Sequence, residues 1–359
     1  MDKVYPIKES TLKAIADSIR EKTNTTYDIL VENMPSAISS IETSATEDRL
    51  ADFLSNKFQT LEDNTITHLG SHALYKKKMD SINLPNLRSI GENVFEECDC
   101  LSYNLPQLYS MEERCFYGAT VENISLPSLI HLPSESFMDS NINTLDIPNV
   151  VTAGSQCFGN CANLFEVTFP NMTRLRHSPG AGWVEGGPCT NSGNLVSASF
   201  PMLNDCYGWG SDFISNCTQL EHFYAPLMDV IHHHDFYGCY KLEYLDLPSL
   251  RAMDGYPFVY CHSLKALMLR NNTLVELPAD PKNVFERCYH ILGHEHPMYN
   301  PEQKTDGFIY VPETLLNEYR EATNWSGLKP EQFRAIEHYT VDGTLMGQVN
   351  WESILNEVV

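Results

Sequence analysis

Two histidine groups in this chain of 359 residues are of a type that could bind a metal ion. His232, His233 and His234 are consecutive, so neighbouring side chains point in different directions and at most two could reach one metal. His294-Glu295-His296 lacks the two-residue gap of a metalloprotease zinc helix. We therefore expect a turn at the first group, a Pro-flanked loop at the second, and no metal site at either.

The chain also contains eleven cysteines, a number that would indicate a disulfide framework in a short secreted protein. Several of them instead recur three or four residues after a regularly spaced Phe, namely Cys98, Cys161, Cys217, Cys239, Cys261 and Cys288. Ala119 and Ser140 occupy the same place in other repeats, which indicates a small buried group rather than a bridge. The Cys98/Cys100 and Cys157/Cys161 spacings also differ from zinc ribbons. The pattern predicts free, buried thiols.

Sequence motifs of common enzymes are missing from the chain. There is no nucleophile elbow, no phosphate-binding loop and no dinucleotide fingerprint after a strand. A surface-polysaccharide hydrolase would need two positioned carboxylates in a cleft, and no such pair stands out among the 47 acidic residues. We expect a non-enzymatic protein without a cofactor, with a hydrolase as the third alternative.

The dominant feature of the sequence is a repeat of 21 residues between Met79 and Pro170. It places one Pro and one Phe in each copy: Pro85, Pro106, Pro127 and Pro148, and Phe95, Phe116, Phe137 and Phe158. Leu74 replaces Phe in an earlier copy, and Phe213, Phe236, Phe258 and Phe285 continue the series. A fixed period of about 20–29 residues is typical of leucine-rich-repeat solenoids. The series predicts about nine coils.

One repeat can be interpreted residue by residue. Leu245 and Leu247 alternate with Tyr244 and Asp246, as in a half-buried strand, and Pro248 ends that strand because it has no N–H to donate. A second apolar position and a polar turn follow, and then the Phe that neighbouring coils must cover. The predicted fold is an α/β solenoid with a parallel sheet on one face, irregular turns on the other, a helical N-terminal module and a helical C-terminal cap.

The domain boundaries follow from where the repeat begins and ends. Residues 1–43 have two amphipathic helical patterns, 44–66 a linker and a third helix, and 67–312 the solenoid. An insertion of about residues 176–193, rich in Gly and Pro, contains Trp183. Residues 313–359 form the predicted cap and tail.

The net charge of −23 disfavours nucleic acid as a partner, because phosphate binding requires Lys and Arg clusters. The chain contains no run of 18 apolar residues, so we expect no membrane-spanning helix. The first ten residues lack the apolar core of a signal peptide. These features lead us to expect synthesis in a cytoplasm.

Two sets of segments resemble known families. "IGENVFEECDCL", "FGNCANLFEVTFP" and "FYGCYKLEYLDLPSL" resemble BspA-like leucine-rich repeats, and "GFIYVPETLLNEYREATNW" resembles the closing segment of such proteins in phages and prophages of Gram-positive hosts. "TLKAIADSIREKTNTT" with "ENMPSAISSI" is similar to a short N-terminal module of phage tail and baseplate proteins. The resemblance implies a protein of the virion tail or baseplate, attached to other tail proteins through residues 1–43. A homo-oligomer is left open.

The expected ligand is a host-surface glycan or protein bound on the outer face of the sheet. In each strand the side chains between the buried ones project outward and line up in columns spaced about 4.8 Å apart. The candidate binding residues are Glu166, Glu221, His222, Tyr224, Glu243, Tyr244 and Asp246, with Trp183 in the insertion. A purely structural virion protein without a ligand is the alternative.

Overall fold

A computed structural model describes residues 60–176, 186–204, 212–278, 284–292 and 306–355. The strands in chain order are β1 Thr60–Glu62, β2 His68–Leu69, β3 Lys78–Asn83, β4 Ser89–Ile90, β5 Asp99–Asn104, β6 Ser110–Met111, β7 Asn123–Ser125, β8 His131–Leu132, β9 Thr144–Asp146, β10 Thr152–Gly154, β11 Glu166–Thr168, β12 Arg174–Arg176, β13 Ser197–Ser199, β14 His222–Tyr224, β15 Val230–Ile231, β16 Tyr244–Leu247, β17 Ala252–Met253, β18 Ala266–Leu269, β19 Phe308–Val311 and β20 Phe333–Ala335. The proposed N-terminal module, residues 1–43, lies outside the described residues.

The first strand of each coil joins the equivalent strand of the next coil in parallel, and we call these strands the front sheet. They pair as β1-β3-β5, β7-β9, β11-β13-β14 and β16-β18-β19-β20. A bridge between Asp99 and Thr120 links two of these groups. The described coils make about 11 turns. This number exceeds the predicted nine, because β1 lies before the predicted start of the repeats and β20 after their end.

The second apolar position of each coil forms a short strand of its own. These strands pair in parallel as β2-β4-β6, β8-β10-β12 and β15-β17. The prediction of irregular turns away from the front sheet is therefore incomplete, since a narrow second sheet runs beside it. The polar turn that carries the Phe follows this second strand.

Each Phe-bearing turn uses left-handed residues to reverse the chain. Coil after coil places one such residue two positions after the Phe site, as at Gly118, Asp139, Asn160 and Gly238. Gly, Asn and Asp tolerate a positive φ better than other residues. The turn therefore repeats even where its sequence does not.

The phenylalanines form a continuous row of rings through the solenoid. Phe95, Phe116, Phe137 and Phe158 stack with centroids 4.8–5.4 Å apart. Beyond Phe158 the row shifts to Phe169 and Phe200, which directly follow the front-sheet strands β11 and β13. The row returns through Phe223 to Phe236, Phe258 and Phe285.

The shift has a cause in the register of two coils. The N–H of Phe158 donates to the carbonyl of Pro188, which places Cys189 at the next Phe site. In the following coil the N–H of Ile214 donates to Asp235, just as that of Phe236 donates to Pro257. The prediction that Phe213 continues the series is therefore wrong by one residue, because Ile214 holds that site.

The ten cysteines in the described ranges are free and buried, as the spacing predicts. Five thiols donate to the backbone carbonyl of the Phe site one coil earlier, at 3.0–3.4 Å: Cys161 to Phe137, Cys217 to Cys189, Cys239 to Ile214, Cys261 to Phe236, and Cys288 to Phe258. Ser192 donates to Phe158 in the same way at 2.6 Å. We call this row the thiol ladder. It explains why the position accepts Cys or Ser.

The segment after β19 contains two short helices, α1 Leu316–Glu321 and α2 Trp351–Leu355, and several 3-10 turns. It has less helix than predicted. The indole N–H of Trp325 donates to the Val275 carbonyl at 3.2 Å, and the Val275 N–H donates to the Tyr319 hydroxyl at 3.0 Å. Within the described ranges, no helix is long and apolar enough to cross a bilayer.

Candidate functional site

The outer face of the front sheet over β11, β13 and β14 is polar, and no hydrogen bond joins the outward side chains of these three described strands to one another. The register aligns Glu166 with Ser197 and His222, and Thr168 with Ser199 and Tyr224. Between these rows Val167 and Ala198 are buried and Phe223 is half-buried, so the named polar side chains point outward. We call the surface of Glu166, Thr168, Ser197, Ser199, His222 and Tyr224 the serine trough.

The trough owes its shape to side-chain size. The small Ser197 and Ser199 on β13 lie between longer side chains on β11 and β14, about 10 Å apart at two strand spacings. On one wall Tyr224 is 55% exposed. The result is a shallow polar floor beside the exposed ring of Tyr224.

The same columns behave differently in the N-terminal coils. There the outward side chains bond to one another: Asn104 donates to Asn83 at 2.7 Å, and Ser125 donates to Asp146 at 2.7 Å. In the described part of the chain, Thr168, Ser199 and Tyr224 make no such bond. Their hydroxyl groups are therefore available to a ligand.

The two glutamates predicted beside these columns lie at the starts of adjacent front-sheet strands. Glu221 is exposed and forms an ion pair with Lys241 at 3.7 Å. Glu243 is half-buried, and its backbone carbonyl accepts the Lys265 N–H at 2.8 Å. Glu221 borders the trough, whereas Glu243 is one strand beyond it.

Tyr244 and Asp246 are engaged by the C-terminal segment, which the sequence did not suggest. The Tyr244 ring stacks on that of Trp351 with centroids 4.0 Å apart. Asp246 pairs with the buried Arg270 at 2.6 Å, and Arg270 also donates to the Gly347 carbonyl at 3.0 Å. Because these groups serve contacts within the chain, we remove them from the candidate surface.

The C-terminal segment covers the front sheet from β16 onward. Outward residues of β18 and β19, Ala266, Met268, Phe308 and Tyr310, pack with Ile336, Val349 and Ile354. A strand buried on both faces is apolar throughout, and β18 reads Ala-Leu-Met-Leu. This lack of alternation was a sequence signal for the covered face. His222 lies at the border, with Nδ1 3.1 Å from the Tyr244 hydroxyl.

His232, His233 and His234 are half-buried on the Phe-bearing turn rather than fully solvated. The backbone N–H of His232 donates to the buried Asp235 side-chain carboxyl group at 2.6 Å. Burial lowers the pKa of His232 and His234 and raises that of Asp235 to about 8. Among the described residues, no cluster of His, Cys, Asp and Glu could hold a metal ion. Trp183 and His294-Glu295-His296 lie outside them.

The turn side of the last coils carries an aromatic surface that the sequence reasoning missed. Tyr240, His262 and Tyr289 each follow a thiol-ladder cysteine directly, and their rings stack with centroids 5.0 and 4.5 Å apart. Earlier coils have Thr120, Asn141 or Thr218 at this position. Aligning the residue after each repeated Cys would have revealed the change.

Comparison with known proteins identifies the repeat. The family model "BspA type Leucine rich repeat region" matches residues 67–178 and 190–296 in six copies. No curated protein matches the chain significantly.

Three solved structures are similar to parts of the chain. A leucine-rich-repeat protein from Bacteroides ovatus is 17% identical, with a TM-score of 0.35, covering 79% of this chain and 85% of its own. A leucine-rich cell surface protein from Faecalibacterium prausnitzii is 13% identical, with a TM-score of 0.32 and coverages of 76% and 82%. The pneumococcal vaccine antigen PcpA is 13% identical, with a TM-score of 0.28 and coverages of 77% and 90%.

Proposed function

This chain belongs to the BspA-type leucine-rich-repeat family, and on that premise we propose that it is a non-enzymatic binding protein whose ligand lies on the serine trough. The observation that carries the proposal is the set of unpaired hydroxyl groups of the exposed Thr168 and Tyr224 and the half-buried Ser199. The equivalent groups of the N-terminal coils are already bonded to each other. The trough therefore differs from the rest of the sheet in what it offers to a ligand.

The chemistry of the trough fits an extended, polar ligand. Hydroxyl groups recur along the sheet at about 4.8 Å, the strand spacing. Tyr224 and His222 add rings with a polar tip, which can pack on a sugar face or on an apolar side chain while keeping a wet edge. We propose a host-surface glycan or protein as the ligand.

The proposed setting is a phage tail or baseplate. Its support is the resemblance of the N-terminal sequence, within residues 1–43, to a module of tail-associated proteins. In this proposal residues 1–43 attach to other tail proteins and the solenoid faces the host cell. Removing residues 1–43 should leave a folded solenoid that no longer enters particles. Incorporation of the truncated protein into particles would contradict this attachment.

Adsorption to candidate host cells tests the trough. His222→Ala with Tyr224→Ala should weaken binding of the labelled protein at least tenfold, which corresponds to about 1.4 kcal/mol. Asn104→Ala, on the same face but in a bonded column, is the matched control and should bind normally.

Other outcomes separate the alternatives. Normal adsorption of the double variant, with loss on Trp183→Ala, would move the site to the insertion. Wild-type protein that binds none of the candidate cells, glycans or surface proteins would favour the purely structural role.

A further inference from the structure

The turn side of the last three described repeat coils presents a second surface, which we call the tyrosine patch. It consists of Tyr237, Tyr240, Tyr260, His262, Arg287 and Tyr289. Its side chains form two adjoining rows. In one, Tyr240, His262 and Tyr289 stack nearly parallel, at interplanar angles of 6° and 14°. In the other, Tyr237 meets Tyr260 edge to face at 5.2 Å, and Arg287 lies 4.6 Å from the Tyr260 ring centroid.

The fold itself does not require these rings. The same turn positions in earlier coils hold Thr120, Asn141 and Thr218 in the first row, and those coils form the same turn. N-terminal turns instead carry ion pairs, such as Arg114 with Glu96 at 3.6 Å and Lys76 with Glu97 at 3.0 Å. The rings therefore replace polar and charged groups on one backbone turn.

The backbone of this turn does not demand a tyrosine at position 260. Tyr260 has a φ of +66°, and the equivalent positive-φ position holds Gly238, Lys76, Glu97 and Arg287 in other coils. The turn therefore accepts several residue types, and Gly adopts this conformation with the least strain.

The composition of the patch matches the centre of a protein interface. Tyr and Arg are enriched at such centres and Lys is depleted. The six patch residues include four Tyr and one Arg and no Lys. Glu286, which forms an ion pair with Arg287 at 3.6 Å, adds a carboxylate at the edge of the patch.

The net negative charge of the chain favours a basic partner for the tyrosine patch. The net charge of −23 repels acidic partners and attracts basic ones. Tyrosine ring faces attract cations, and the chain already uses this contact at Tyr117, whose ring centroid lies 3.9 Å from the Arg114 guanidinium carbon, and at Tyr260. Arg287 is itself paired with Glu286 at 3.6 Å. Burial also lowers the pKa of His262, which keeps that ring uncharged at neutral pH.

We propose that the tyrosine patch binds an arginine-rich, basic segment of a partner protein. Incoming guanidinium groups lie over Tyr237, Tyr240 and Tyr289, as Arg287 lies over Tyr260. The net negative charge of the chain adds long-range attraction. This surface is separate from the serine trough, and neither proposal depends on the other.

The test uses the full chain and a fluorescent nine-arginine peptide, with binding followed by anisotropy at 0.15 M salt. The variant Tyr240→Thr, Tyr260→Gly, Tyr289→Thr introduces the residues that Thr218 and Gly238 show at equivalent positions. It leaves the net charge unchanged, so non-specific attraction to an acidic protein stays the same. We expect the peptide affinity to fall at least tenfold.

Two further variants keep the test decisive. Tyr224→Ala, also neutral in charge, should not change peptide binding, and an equal loss there would place the peptide on the trough. Tyr260→Gly alone removes the strained Tyr, so it should not lower the melting temperature yet should weaken peptide binding severalfold.

Full affinity in the triple variant would mean attraction by net charge alone and would overturn the proposal. Binding of a neutral oligosaccharide that is lost in this variant, without any patch-dependent peptide binding, would assign the patch to sugars instead.

Discussion

The ring of Tyr244, in the middle of the sequence, stacks on that of Trp351, near its end, with centroids 4.0 Å apart at an angle of 25°. This contact fixes the C-terminal segment on the outer face of the front sheet. It also marks where the accessible part of that face ends. Residues N-terminal to it in the stack, including His222 and Tyr224, remain exposed.

The first prediction concerns this contact. Trp351→Ala should release the C-terminal segment and lose at least the pair energy of about 0.5–1.5 kcal/mol. Faster hydrogen exchange in β16 and β18, with proteolysis confined to residues after Tyr339, would be the measured result. Trp351→Phe keeps an aromatic partner and should behave like wild type. Unchanged exchange in the alanine variant would show that the stack does not hold the segment.

The second prediction compares the ring row with the histidine turn. Phe158 is fully buried between Phe137 and Phe169, so Phe158→Ala should lower the free energy of unfolding by about 3–5 kcal/mol. His233 is half-buried on the turn, and His233→Ala should cost less than about 1 kcal/mol. Denaturant unfolding measures both, and similar losses would contradict the assigned register.

The third prediction concerns the hydrogen bond of a thiol-ladder cysteine. Cys261→Ala removes the thiol that donates to the Phe236 carbonyl, but this carbonyl keeps its bond from the Cys239 N–H at 3.2 Å. The variant should therefore cost about 0.5–1.5 kcal/mol, the net contribution of one hydrogen bond. Cys261→Ser keeps a donor, as Ser192 does at 2.6 Å, and should cost less. Urea melts of the two variants measure the difference. A serine variant that is the less stable of the two would show that size, not the bond, selects the residue.

The fourth prediction is a pH dependence of stability from Asp235. Burial raises its pKa to about 8, above the usual unfolded value near 3.9, so the folded state binds more protons between these values. Stability should therefore fall as pH rises through this window, with a slope of up to about 1.4 kcal/mol per pH unit. Below about pH 6.5 the lowered pKa values of His232 and His234 act in the opposite direction, since their protonation favours the unfolded chain.

Denaturant midpoints between pH 6.5 and 8 isolate the carboxyl group. Asp235→Ser, which copies Ser136 at the equivalent position, should flatten the slope in that interval. A variant with the same slope as wild type would mean that Asp235 ionises normally in the folded protein.

Much of the fold follows from local periodicity. The 21-residue spacing predicts the parallel front sheet, the stacked Phe and the buried Cys, because every repeat buries the same positions against its neighbours. Periodicity could not predict the cover on Tyr244 and Asp246. That contact joins a repeat to a tail with no period of its own. The repeat pattern also predicts Phe213 at the Phe site that Ile214 occupies. The error is a shift of one residue, and it occurs beside a coil of unusual length, where the 21-residue period does not define the register.

The cysteines of the thiol ladder can report local unfolding of individual coils through their reactivity. Burial raises the pKa of Cys161 and Cys217 to about 12, so a closed coil does not react with an alkylating reagent at neutral pH. A coil that opens exposes its own thiol, and each ladder cysteine occurs in a different coil. Brief alkylation followed by peptide mass spectrometry would therefore show which end of the stack unravels first and how far the opening spreads, without any engineered label.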